Sequence, residues 1–392
     1  MDFPKHYSLA PFSLLYLVFL ASVLYLSLWS SSLTNLSIFS SQKKTTSMPT
    51  SILGKSNTRK NTTIRPEVEM PRDELEEALA KASMANKTVI IAVINRAYAE
   101  GEDMNVETTM LDIFLESFWI GEDIKALRDH LLIVAVDQTA YDRCRFLKLN
   151  CYRLETDGVD FRGEKLYMSA DFINMMWRRT WLLLEVLKRG YSFIFTRPIQ
   201  RLSKNETEDL QISTDIYKGN PWNEKHLINT GFYYVRSNNK TIALFDKWYS
   251  RKENSTGLKE QDVLLGLLRG GVIRELGLKV RFLNTLYFSG FCQDSKDFRA
   301  VTIVHANCCR SVNAKVTDLR AVLRDWKRFK KVTSDGRFDA GGNATETFRW
   351  TGHWGCWNSW KVGKKTTVGN QTIVGNQTIV GNKTIVGNQT IV

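Results

Sequence analysis

The sequence predicts an α/β fold built on a mostly parallel sheet, and three observations carry that reading. The run 88–94, Thr-Val-Ile-Ile-Ala-Val-Ile, has the β-branched composition of a strand buried on both faces. A second such run, 131–136, follows one helix-period stretch later, which is the spacing of strand-helix-strand units. The stretch 171–196 then holds a whole helix-to-strand unit. Met175, Met176, Trp181, Leu182, Leu184, Val186 and Leu187 recur at helical spacing, Lys188 and Arg189 fill the last turn, and Gly190 supplies a C-cap before Tyr191-Ser192-Phe193-Ile194-Phe195. Ligands of open α/β sheets sit beyond the carboxyl ends of the strands, so the residues just after each strand are the first candidates.

In chain order, residues 9–29 carry no charge, are rich in Leu, Val, Phe and Tyr, and are long enough to cross a bilayer as a helix. Residues 1–29 are therefore expected to form a cytoplasmic tip and signal-anchor, a cleaved signal peptide being usually shorter in its apolar part. Asn35, Asn61, Asn86, Asn205, Asn239, Asn254 and Asn343 each open an Asn-x-Ser/Thr triplet after that segment, which favours a lumenal body. Residues 30–70, dominated by Ser, Thr, Asn and Lys, read as a flexible stem. The formal charge of +13 is concentrated in part here: Lys43, Lys44, Lys55, Arg59, Lys60 and Arg65 occur with no acid among them. That is a basic tether, and with no recognisable base-reading module the sequence argues against nucleic acid as a partner.

Residues 71–332 read as one domain; 43% hydrophobic residues over 392 positions exclude disorder of the whole chain. A helix is expected over 72–84, where Glu74, Glu76 and Glu77 suit the positive end of the dipole. Strand 88–94 ends in Asn95-Arg96, a helix covers about 107–120, strand 131–136 ends in Asp137-Gln138, and another helix begins near 139. After the unit at 171–196, strands are expected at 210–215 and 231–236, helices at 241–251 and 260–269, short strands near 280–283 and 301–304, and a basic helix over 316–331. Residues 333–392 form a C-terminal extension. Its Gly- and Trp-rich part, 336–360, is able to fold back on the body. From 368 a hexapeptide Val-Gly-Asn-Gln-Thr-Ile repeats, with sequons at Asn370, Asn376, Asn382 and Asn388. Four units are too few to bury the core of a parallel β-helix, so a disordered, glycosylated tail is expected. In an oxidising lumen the six cysteines pair; Cys144 is expected to join Cys151, and Cys292 to join Cys308 or Cys309.

Four stretches, in order, resemble the plant nucleotide-diphospho-sugar transferases of glycosyltransferase family 77. They are Asp137-Gln138-x-Ala140-Tyr141-x-x-Cys144, the run 172–195 with Met175-Met176-Trp177-Arg178-Arg179, Asn229-Thr230-Gly231-Phe232-Tyr233, and Lys259-Glu260-Gln261-Asp262. The resemblance implies a GT-A-like fold for 71–332, a nucleotide-sugar donor such as a UDP-sugar, and transfer of a pentose, arabinose or xylose, with retention. It also implies a type II Golgi membrane protein, a cell-wall glycan or glycoprotein acceptor, and Mn²⁺ (or Mg²⁺) as cofactor.

On that resemblance Asn95, Asp137, Arg178, Arg179, Asn229 and Gly231 are candidates for donor binding. Glu260 and Asp262 are candidates for the sugar or acceptor, and His305, just past a strand, for a metal ligand. Each has an ordinary alternative as a turn residue, an exposed helix residue or a first-turn acid. One departure is plain. The family's Asp-x-Asp pair, whose carboxylates share a divalent ion with the diphosphate, is missing where Thr196 runs into Arg197-Pro198-Ile199. Two readings follow: a glycosyltransferase whose Mn²⁺-dependent activity is weak or absent, or a non-catalytic member that binds donor, acceptor or a partner.

Overall fold

The computed structural model describes residues 73–100, 108–156, 158–195, 207–334 and 348–361, and the backbone of short strands at 367–368, 371–374 and 377–380. These belong to the second of two compact units, Val68–Val392. The expected anchor, stem and Thr196-Arg197 junction lie outside the described residues. No helix among the described residues is long and apolar enough to cross a membrane.

Seven strands form the central sheet: β1 (Thr88–Ile94), β2 (Leu131–Ala135), β3 (Asn150–Arg153), β4 (Ser192–Phe195), β5 (Leu210–Ile216), β6 (Leu227–Val235) and β7 (Val280–Phe282). Their order is β3-β2-β1-β4-β6-β5-β7. Pairs β1/β2, β2/β3, β1/β4 and β5/β7 are parallel, while β6 runs antiparallel to both its neighbours. The expected mostly parallel α/β sheet is therefore present, with helices on both faces.

The period of two explains why the strand runs are apolar throughout. Val89 and Ile91 of β1, Leu132 and Val134 of β2, and Phe193 and Phe195 of β4 point into one core. Ile90, Ala92, Leu131, Ile133 and Ile194 point into the other. The first core is closed by α1 (Glu74–Ala82), α5 (Ala170–Lys188) and α6 (Asn239–Tyr249), through Leu79, Trp177, Leu183, Leu187, Phe245 and Trp248. The second is closed by α3 (Met110–Ile120) and α4 (Gln138–Phe146), through Leu115, Phe118 and Ala140. Between β1 and these helices lies α2 (Arg96–Ala99). Downstream come α7 (Glu260–Leu267), the parallel pair β8 (Phe288–Gly290) and β9 (Ile303–His305), and α8 (Val312–Ser334).

β3 and β8 were not expected, and three other elements differ from expectation. β6 starts at Leu227, so Asn229-Thr230-Gly231 lies inside a strand and not in a turn before it. Ser213 pairs with Asn229 across a register shift in β5, and that irregularity continues the ladder to the carboxyl edge of the sheet. His305 is the last residue of β9, where a residue past the strand was expected. Within the repeat tail, short antiparallel strands β10 (Thr367–Val368), β11 (Gln371–Val374) and β12 (Gln377–Val380) pair where no secondary structure was expected. The Gln-Thr-Ile-Val segments have strand composition, and Gly375-Asn376 between two of them is a dipeptide of two-residue hairpin loops.

All six cysteines are paired: Cys144–Cys151, Cys292–Cys308 and Cys309–Cys356. The first two are as expected from the sequence. The third fastens the Trp-rich segment, including α9 (Trp354–Ser359), back onto the body.

Candidate active site

A cavity of about 820 Å³ opens where β1 and β4 end, β5 ends and the antiparallel β6 begins. Its polar centre is built from residues 14 to 92 positions apart. Asp215, at the end of β5, receives hydrogen bonds at Oδ1 from Asn229 Nδ2 and Asn307 Nδ2, both at 2.8 Å. Asn229 Oδ1 accepts the Gly231 amide at 2.7 Å, which fixes which way its own amide faces. Asn307 is held in turn by the Cys292 amide, 3.1 Å from its Oδ1, and lies against Gly290. Burial pushes the Asp215 carboxyl up, against the two amide donors and the Lys259 charge that pull it down. Its Oδ2 takes no hydrogen bond among the described residues.

Gly231 has a steric reason to be glycine. A Cβ there would stand 2.0 Å from His305 Cε1 and 2.6 Å from its Nε2, so β9 can bring the imidazole against β6 only where no side chain intervenes. Burial, then the charges of Lys315 and Arg179, lower His305 to a pKa of about 3, so the ring is neutral near pH 7.

A second network forms the floor beside α5. Arg179 donates to Glu260 Oε1 at 2.5 Å and to Thr230 Oγ1 at 3.3 Å, and its guanidinium lies 4.9 Å from the Phe195 ring. Thr230 Oγ1 donates to the same Glu260 oxygen at 2.8 Å, while the Thr230 amide donates to Gln261 Oε1 at 3.0 Å. Trp248 Nε1 pins the start of α7 through the Glu260 carbonyl at 2.8 Å. Glu260 Oε2 is buried and has no hydrogen-bond partner among the described residues. An unmade bond of this kind costs about 1–3 kcal/mol.

Cations and aromatic rings line the same cavity. Lys259 donates to Tyr167 Oη at 3.2 Å and lies 3.9 Å from Asp262. Arg310 stacks 3.8 Å over Trp360 and 5.5 Å from Tyr167, and makes no ion pair among the described residues. Lys315 lines the same cavity, likewise with no ion pair among the described residues. Cations without carboxylate partners in a concave site are the arrangement that receives an anionic group.

Of the residues singled out from the sequence, Asn95, Arg179, Asn229, Gly231, Glu260 and His305 line the cavity; Asp137, Arg178 and Asp262 do not. Asp137 caps α4 by accepting the Ala140 amide at 2.8 Å and also accepts the Arg96 amide at 2.7 Å. Arg178 donates to the Glu155 carbonyl at 2.9 Å and packs over Trp181. Asp262 is 39% exposed beside Lys259. Asn95, though in the lining, is fully engaged: it accepts the Tyr98 amide and donates to the Phe161 and Gly163 carbonyls at 2.9 and 2.7 Å. Sequence reasoning gave no role to Asp215, Asn307, Gln261 or Arg310. For Asp215 a signal existed, since it is the acid that ends an expected strand.

The described residues do not fit a divalent ion by themselves: no three His, Cys, Asp or Glu side chains converge among them. His305 and Asp215 both border Asn229 and Gly231, but a carboxylate pair is not beside them. Glu260 is already bonded to Arg179 and Thr230.

Comparison with known proteins places this geometry. Residues 126–319 match the nucleotide-diphospho-sugar transferase family. An uncharacterized Arabidopsis thaliana protein, At1g28695, is 54% identical over 301 residues, which cover 74% of this chain and 85% of that protein. A second uncharacterized Arabidopsis thaliana protein, At4g15970, is 39% identical over 267 residues, 67% of this chain and 71% of that one. Among solved structures, a cytidylyltransferase from Leptospira borgpetersenii aligns over 50% of this chain and 74% of its own at 10% identity and a TM-score of 0.27, too low a likeness to support any inference. The family match spans β2 to α8, and with it Asp215, Asn229, Glu260 and His305, so the chain belongs to the nucleotide-diphospho-sugar transferase family.

Proposed function

We propose that the chain is a GT-A-like, retaining glycosyltransferase of family 77 that moves a pentose, arabinose or xylose, from a UDP-sugar to a cell-wall glycan or glycoprotein. The observation that carries this is the division of labour inside one cavity. The carboxylates of Asp215 and Glu260 and the cations Lys259, Arg310 and Lys315 line it together. A sugar offers hydroxyl donors and a diphosphate offers anionic oxygens, so a sugar diphosphate suits a cavity that holds both kinds of group. Asp215 orients the sugar through its hydroxyls, and the aromatic-backed cations neutralise charge that grows on the leaving diphosphate.

Because the described residues offer no complete set of metal ligands, Mn²⁺-dependent transfer is proposed to be weak, with the side-chain cations supplying the neutralisation instead. The same observation favours a second reading, a member that binds donor without turnover. A Golgi lumenal site behind an N-terminal anchor is also proposed. It is supported by three disulfides, which belong to oxidising compartments, and by exposed sequon residues Asn86, Asn239 and Asn254.

The test is calorimetry and product analysis with UDP-xylose and UDP-arabinopyranose, with EDTA and with Mn²⁺. Donor binding with release of UDP in EDTA supports the enzyme; binding without turnover in either condition supports the second reading. No binding of either donor overturns both.

A further inference from the structure

We infer that the exposed tryptophans of α9 form an acceptor track for a neutral pyranose oligosaccharide, running outward from the cavity. This rests on the glycosyltransferase reading above. Trp354, Trp357 and Trp360 are 67%, 62% and 37% exposed, while Trp350, in the same segment, stacks on Phe298 at 3.8 Å and donates to the Ser295 carbonyl. One indole is therefore structural and three are presented to solvent. Residues three apart are neighbours on a helix, at about 4.5 Å of rise per step, so Trp354 and Trp357 stand side by side on α9 and Trp360 follows as its C-cap, extending the stripe. Trp360 is its inner end, since it lines the cavity, stacks with Arg310 and donates to the Cys308 carbonyl at 2.7 Å.

The stripe is held rigid. Cys309–Cys356 ties α9 to the body, Asp318 accepts the Gly355 and Cys356 amides at 3.2 and 2.7 Å, and His353 bonds Asp294 at 2.9 Å. Rigid aromatic platforms lose little entropy when they bind. The chemistry of the face names its occupant. Residues 349–361 contain no Leu, Ile, Val or Met, so the exposed apolar surface of this segment is aromatic alone, and the exposed Asn358 stands beside the indoles. Flat rings next to hydrogen-bonding groups suit a pyranose, which has apolar C–H faces and a hydroxyl rim. Continuity with the cavity through Trp360 joins this face to the candidate donor site.

The experiment uses the full chain and the double variant Trp354→Ala, Trp357→Ala, with xylohexaose, xylobiose and UDP-xylose as probes, decaproline as the competing peptide, and a chain ending at Lys361. The wild type is expected to bind xylohexaose more tightly than xylobiose. The variant should lose about tenfold per indole for the hexasaccharide, hold xylobiose unchanged, and keep UDP-xylose affinity. Equal binding of xylohexaose by both chains, binding of decaproline alone, or sugar binding that appears only after removal of 362–392 would overturn the track. Failure of UDP-xylose binding with Trp-dependent hexasaccharide binding intact would instead remove the transferase reading and leave the track.

Discussion

The two halves of the sheet solve the same problem at their carboxyl edge in opposite ways. Along β1 and β2, the polar residues that end the strands close local structure: Asn95 and Asp137 cap helices, and Asn95 also clamps a loop through two carbonyls. Along β5 and β6 polar residues are buried within the strands, including Gln211, Ser213, Thr214, Asn229 and Thr230. There they bond one another across strands and hold Asp215, which lines the cavity. The first half is a scaffold whose polar ends are already satisfied. The second is a site whose polar ends are only partly satisfied, and unsatisfied capacity held in place is what a ligand can use.

The largest expected effect is at Asp215. Asp215→Asn keeps shape and one acceptor oxygen but removes the charge, and sugar transfer should fall about 10²–10³-fold. Stability should move the other way. Burial raises the folded carboxyl above its unfolded value, so the ionised form is disfavoured in the fold. The variant should therefore gain melting temperature at pH 7, and the gain should vanish as pH falls below the unfolded value, which thermal melts across pH will read. A variant that melts lower at pH 7 would contradict the burial argument.

Asp209, just before β5, is the counterpart to Asp215 at the other end of the same strand. Burial alone would raise its carboxyl, but hydrogen bonds from Arg236, the Lys279 amide and Asn238 outweigh this and hold it below the usual range. Its stabilisation is therefore full above the unfolded value and is lost as pH falls through the folded one. Asp209→Ala should cost about 2 kcal/mol near neutrality, and urea titrations should show that gap narrowing below about pH 4. Donor affinity, measured on the folded variant, should not change.

Gly231→Ala sharpens the comparison at one backbone position. The added methyl meets His305 and Asn229, so about 1–3 kcal/mol of overpacking is expected, together with weaker UDP-xylose binding as Asn229 is displaced. Unchanged melting and unchanged binding would show that β9 does not press on β6 as described.

The scaffold half was the more legible from sequence, for a physical reason. A strand buried on both faces must be apolar at nearly every position, as 88–94 and 131–136 are, so composition alone reveals it. Bounds of α5 were readable from Met175 to Leu187 with Gly190 behind them. The site half mixes polar residues into its strands, which blurs the pattern: β6 was expected to begin at Gly231, and β3 and β8 were not read at all. Asn229, Gly231, Glu260 and Arg179 were found because their motifs resemble a family. Asp215 and Asn307 come together only through the β5–β6 pairing and the Cys292–Cys308 staple, and no local signal in the chain announces that meeting.

The smallest effect on donor binding belongs to the capping acid. Asp137→Asn should leave binding unchanged while costing about 1–3 kcal/mol of stability, since both carboxylate oxygens accept backbone amides, from Ala140 and Arg96, and Asn can accept only one of them. The same pair of substitutions supplies the most direct test of where the donor binds: calorimetric titration of UDP-xylose and of UDP into the unaltered chain, Asp137→Asn and Asp215→Asn, in EDTA. The predicted result is unchanged binding of both ligands by Asp137→Asn, and loss of the UDP-xylose advantage over UDP in Asp215→Asn. Weaker UDP-xylose binding in Asp137→Asn, with Asp215→Asn unaffected, would contradict it and move the site to the other half of the sheet.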